Sequence, residues 1–222
     1  MDVDLKLLTP RDYFERTSHV VRHLYLGIGS CHQLWEEATA FWTPREGGPP
    51  KTEKEKADLD IFLAKGQEYF GKKLSEGVLC GAILQVAASG ILRFSKNATL
   101  PPSCRDLFKG IKLKERQLKF CIGQERYGVP EGLIIYAGRN QYAHWEEEKL
   151  RDKLNVRIFD KLNSAFQKHT FMDLAFDLSN PTIHIYADFL LLGVLEWKTY
   201  GAYLRGMKEL LEAVQTGPAE KQ

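Results

Sequence analysis

Residues 139–144 read Arg-Asn-Gln-Tyr-Ala-His. A guanidinium and an amide are followed, four residues after the amide, by an imidazole. Arg139 offers a planar fork of donors suited to a phosphate. His144 is of the one common side-chain type that titrates near neutral pH, and so can move protons there. Together these groups supply most of what cleavage of an RNA phosphodiester needs, without a metal or a cofactor. The chain holds 12 Arg, 6 His and 5 Asn. In that composition Arg-x4-His is expected by chance about 0.3 times, and with Asn directly after the Arg roughly 0.007 times. Asn140 is what lifts the pattern above the background.

The elements that must carry the hexamer can be read around it. Gly128-Val129-Pro130-Glu131 reads as a turn with Pro130 near the first position of a helix. That helix is predicted to run through Leu133, Ile134, Ile135, Tyr136 and Ala137 and the hexamer into Trp145 and Glu146–Glu148. On such a helix Asn140 and His144 share a stripe, whereas Arg139 sits roughly 140° round from His144. One protomer therefore does not align all three groups. Either the long Arg side chain curls back, or two copies face each other across a two-fold axis and share a cleft.

Elsewhere the pattern is helical. Thr9-Pro10 can open a helix as N-cap and first position, and residues 10–42 carry an apolar stripe with a potential break at Gly27 and Gly29. Residues 43–53, with three prolines and two glycines, read as a loop whose tip is the best candidate for a mobile segment. Residues 54–96 form a long helical pattern, apolar nearly all round in its second half, as expected of a buried central helix. Residues 97–103 end it, and residues 104–126 are polar and less regular. A further helix is expected at about 154–168 and a last one at about 187–214, with a frayed tail from Gln215. Residues 182–186 alternate and fit either a short strand or a helix start. The fold class is thus all-α, a bundle of five to seven helices with one possible short β element near 182–186. We read residues 1–222 as one domain with its core at about 54–214, and residues 1–50 as an N-terminal helical addition plus loop.

Composition narrows the classes further. The 222 residues are 44% hydrophobic and 11% aromatic, ample for a core, and the net charge is +2. No basic tail advertises nucleic acid, so any RNA contact must come from a local patch. The acidic start is not a secretory signal, and no run of about 18 apolar residues predicts a membrane span. Cys31, Cys80, Cys104 and Cys121 form no CxxC pair and read as buried thiols of a cytoplasmic protein.

The hexamer resembles the motif of the HEPN superfamily (higher eukaryotes and prokaryotes nucleotide-binding), whose all-α domains carry Arg-x4-6-His, commonly with Asn after the Arg. The likeness is specific over about 15 residues around Arg139–His144 and architectural over about 100 more; the first 50 residues do not contribute. It implies a metal-independent endoribonuclease, with members among toxins, phage-defence proteins and CRISPR-associated RNases. By the same resemblance His144 would serve as general base or acid, Arg139 would stabilise the phosphorane, and Asn140 would orient the His or the phosphate. Products would be a 2′,3′-cyclic phosphate and a 5′-OH. Some members carry a tyrosine two residues after the His, the target of a nucleotidylating antitoxin; here that position is Glu146, which leaves a regulatory or antitoxin partner open. Other members are inactive and act as RNA- or nucleotide-binding or scaffold proteins, and that is the alternative function. The expected partners are RNA and a second copy of the chain, with no membrane.

The plainest alternative needs no chemistry: Arg, Asn and His can cap, pair with Glu146–Glu148, or satisfy one another in a polar patch. Lys112, Lys114, Arg116, Lys119 and Arg126, interleaved with Phe120 and Tyr127, form the most basic stretch. They fit either a solvated face or an RNA-binding rim, to which Tyr142 could add a stacking ring. His19 and His23 have metal-pair spacing but no third ligand in sequence, so no metal site is assigned. His32 and His184 have no obvious partner, and His169 is placed at a helix end.

Overall fold

The computed structural model describes residues 9–41, 52–147, 152–166, 176, 178 and 185–212. Helix α1 (Pro10–Phe41) starts where expected: Thr9 and Asp12 cap reciprocally, with Thr9 N donating to Asp12 Oδ2 at 2.9 Å. It continues unbroken through Gly27 and Gly29, so these two glycines interrupt nothing. Gly27 instead lets the side chain of Leu79 approach closely. Helix α2 (Glu53–Phe94) opens on a capping box in which Thr52 and Glu55 satisfy each other's backbone. The loop expected at residues 43–53 lies mostly outside the described residues.

The polar segment that follows contains two single-turn helices, α3 (Arg105–Phe108) and α4 (Glu115–Leu118). A two-stranded antiparallel ribbon then pairs β1 (Glu125–Arg126) with β2 (Val129–Pro130). Its turn needs left-handed backbone, with φ of 53° at Tyr127 and 75° at Gly128. Of the possible β element near 182–186, Ile185 and Tyr186 are irregular, and 182–184 lie outside the described residues.

Helix α5 (Glu131–Ala143), α6 (Lys153–Phe166), a π-helical turn (Phe189–Val194) and α7 (Tyr200–Glu212) complete the all-α fold. The expected single helix over 187–214 is therefore two pieces. The first is wound with i→i+5 bonds, such as Leu195 N to Leu190 O at 2.9 Å, and Glu196 at φ 57° ends it. The frayed tail and His169 and His184 lie outside the described residues.

Helix α2 is the centre. Cys80, Ile83, Leu84, Ala87, Ala88 and Ile91 are fully buried, as its apolar second half predicts. The pairs Gly81–Tyr142 and Gly138–Leu84 lay α5 antiparallel along it. Phe14, Val21 and Ile28 of α1 belong to the same core cluster, so α1 is built into the core. By length and composition α2 is apolar enough to cross a bilayer; half of that apolar window is buried inside the protein.

Candidate functional site

Helix α5 is buried almost throughout, and its last two turns carry the hexamer. It stops at Ala143, one residue before His144, rather than continuing to Glu148. His144 leaves the helix at φ −128°, ψ 23°, and closes a turn to which Glu147 N donates at 3.0 Å. Glu146, Glu147 and Glu148 explain the stop: three carboxylates in sequence are unfavourable against the negative end of a helix dipole.

Arg139 is half-buried and reaches across to α2, where its Nε donates to Gln85 Oε1 at 2.8 Å. Its Nη1 donates to Asn140 Oδ1, also at 2.8 Å. Both acceptors are neutral amides. Among the described residues no carboxylate pairs with this guanidinium. Burial, and then the neighbouring Arg116 cation, hold its pKa below the ordinary value. Asn140 is buried and passes the network on, its Nδ2 donating to Asn155 Oδ1 on α6 at 3.4 Å. Beside it Tyr136 donates to Asp152 Oδ2 at 3.2 Å, while Asp152 Oδ1 accepts from the backbone of Leu154 and Asn155 and so caps α6. Burial, more than any neighbour, raises the Tyr136 phenol.

His144 is exposed, with Nδ1 2.7 Å from Glu147 Oε1. If Nδ1 carries the proton and donates to Glu147, Nε2 keeps a lone pair, the tautomer a general base requires. Nε2 has no described protein partner. Among the described residues no hydrogen bond joins Arg139 to His144: the first bonds to Gln85 on α2, and the second to Glu147 beyond the helix end. The arrangement can therefore present a fixed cation and an oriented imidazole.

The remaining candidates divide. Arg116 is exposed and close enough to Arg139 to perturb it; Lys112 and Lys114 are exposed on the same segment. Lys119 donates from Nζ to Leu92 O at 2.9 Å, at the C-terminal turn of α2. Arg126 pairs with Glu131 at 3.1 Å and with Glu196 at 3.4 Å. Tyr142 is half-buried and packs its ring on Gly81, where any side chain would collide with it. Trp145 is exposed.

Several contacts escaped the sequence reading. Gln85 and Asn155, the seats of Arg139 and Asn140, lie on other helices and carry no motif. The His144–Glu147 and Arg139–Asn140 contacts, by contrast, are of the kind the plainest alternative expects. His32 does have a partner: its Nε2 lies 3.0 Å from Glu76 Oε1. Glu76 and Asp188 are both buried, and Lys73 bridges them at 3.4 and 2.6 Å. His19 and His23 sit with ring centroids 4.2 Å apart. Among the described residues no group of three His, Cys, Asp or Glu side chains is placed to hold a metal ion.

No family model matches this sequence, and neither a curated protein nor a solved structure matches it.

Proposed function

We propose that this chain is a HEPN-type, metal-independent endoribonuclease acting as a homodimer, in defence, toxin or stress response. The observation that carries the reading is Arg139. A half-buried guanidinium held by two amide oxygens, with a second cation beside it and no carboxylate on it, is completed by an anion. A phosphate is the anion its planar fork fits best.

His144 Nε2 takes the proton from a ribose 2′-OH, and the 2′-oxygen attacks phosphorus. The bond from phosphorus to the 5′-oxygen breaks, and that oxygen takes a proton from the imidazolium of the second copy, which enters the step protonated on Nε2. A 2′,3′-cyclic phosphate and a 5′-OH remain. Arg139 stabilises the charge on the phosphorane, and Asn140 holds Arg139. The second copy supplies the acid, because the hexamer carries a single imidazole per chain. An apolar stripe supports its docking: Leu74 and Val78 are 51% and 38% exposed and lie on the same face of α2 as Gly81 and Gln85. The alternative, an inactive RNA- or nucleotide-binding scaffold, draws on the Glu147 contact and on the hydrogen bonds that already occupy Arg139.

Incubation of RNA with the protein in EDTA separates the two. Wild type is expected to cleave, His144→Ala to lose about 10²–10⁴-fold, and Arg139→Ala about 10²–10³-fold. Equal cleavage by wild type and variants sinks the proposal. RNA binding without cleavage selects the scaffold.

A further inference from the structure

We infer a second anion site, separate from the hexamer, in the cleft between α1 and α7, and assign it to a nucleotide bearing two or more phosphates. The cleft has a volume of about 580 Å³, which falls within the range of sites that hold small molecules. It lies over a different face of α2 from Gln85, where Tyr13 and Met207 meet at Gly90. The inference does not rest on the ribonuclease reading.

Two stripes build the walls. Arg11, Glu15, Ser18 and Arg22 recur at three- and four-residue spacing on α1, and Tyr200 and Lys208 are two turns apart on α7. The helices run antiparallel here, since Arg22 meets Tyr200 while Tyr13 and Met207 share Gly90. Arg11 and Lys208 therefore fall at one end, and Arg22 and Tyr200 at the other. Eight residues of helix separate the two ends by about 12 Å.

The charges are unbalanced. Arg11 pairs with Glu15 at 2.9 Å, an exposed pair that contributes little. Arg22 and Lys208 make no ion pair among the described residues. Arg22 instead lies 4.7 Å from the centroid of Tyr200. The cleft thus keeps two cations without counter-ions. They suit different parts of one ligand: Lys208 with Arg11 faces a compact polyphosphate, and a guanidinium stacked on a tyrosine is a platform for a flat ring. Inorganic anions would use only the first end.

Calorimetry on the full chain with ADP, inorganic pyrophosphate and a hexauridylate tests this, using wild type, an Arg22→Gln/Lys208→Gln double variant and His144→Ala. The expected result is ADP binding tighter than pyrophosphate, weakened at least tenfold in the double variant at unchanged melting temperature, and untouched by His144→Ala. Each single variant tells the ends apart: Lys208→Gln should weaken both ligands, Arg22→Gln chiefly ADP. No binding of ADP to wild type, or equal binding to the double variant, overturns the assignment. Hexauridylate binding that depends on these two residues, without ADP binding, also overturns it and makes the cleft a track for an RNA backbone. Loss of RNA cleavage in His144→Ala with ADP binding intact separates this site from the first.

Discussion

Gln85 sets the charge that Arg139 presents. Because its oxygen is neutral, no negative charge there offsets the guanidinium. Gln85→Glu changes one atom and places a carboxylate 2.8 Å from Nε. The fold should hold, because the hydrogen bond is kept and strengthened. RNA cleavage should nevertheless fall at least tenfold, measured as initial rate beside an unchanged thermal midpoint. A rate equal to wild type would mean that Arg139 does not meet phosphate. Only part of this arrangement was legible in the sequence. The three residue types of the hexamer announce themselves by spacing. Their supports do not, because Gln85 is 54 positions away and Asn155 is 15 from Asn140. Such contacts are set by how helices lie together, which local spacing does not encode.

Helix α5 owes its position to two glycines as much as to its apolar side chains. A Cβ on Gly132 would run into the carbonyl oxygen of Phe120, and backbone cannot step aside as a side-chain tip can. Gly132→Ala should therefore destabilise by about 1–3 kcal/mol, read from the urea midpoint at constant slope. Gly138→Ala should cost less, since its neighbours are the methyl ends of Leu84 and Leu190. Equal effects would show that α5 can shift to relieve both. Helix periodicity identified α1, α2, α5 and α6 closely, because each buries a long apolar face. The ends were harder. Apolar residues continue from α5 towards Trp145, yet the helix ends on an acidic cluster. The apolar run of 187–214 hides a change of winding that its residue types do not mark.

At the scale of the whole molecule, all four cysteines are buried. Burial first, then the nearby Asp188 and Glu76 carboxylates, push the Cys80 thiol well up. Thiol reagent should label none of the four rapidly in the native state and all four in denaturant. Rapid native labelling of even one would mean that the core opens locally. Dimerisation is tested on the same scale. Leu74→Glu with Val78→Glu should yield monomers in light scattering and lose RNA cleavage together, with the helical spectrum retained. A dimer that survives both charges places the interface elsewhere.

One feature of α2 reaches beyond packing. The described contacts of α5, the π-helical turn and α7 fall on it from Lys73 onward. Its first twenty residues run instead beside α1, tied by Lys65 to Glu37 at 2.9 Å. Those residues make a strut about 30 Å long, continuous with the segment whose Gln85 seats Arg139. A tilt of about 10° at its root carries its tip by about 5 Å. Strut and seat are thus one unbroken helix, and Tyr142 rests on it at Gly81, between the two.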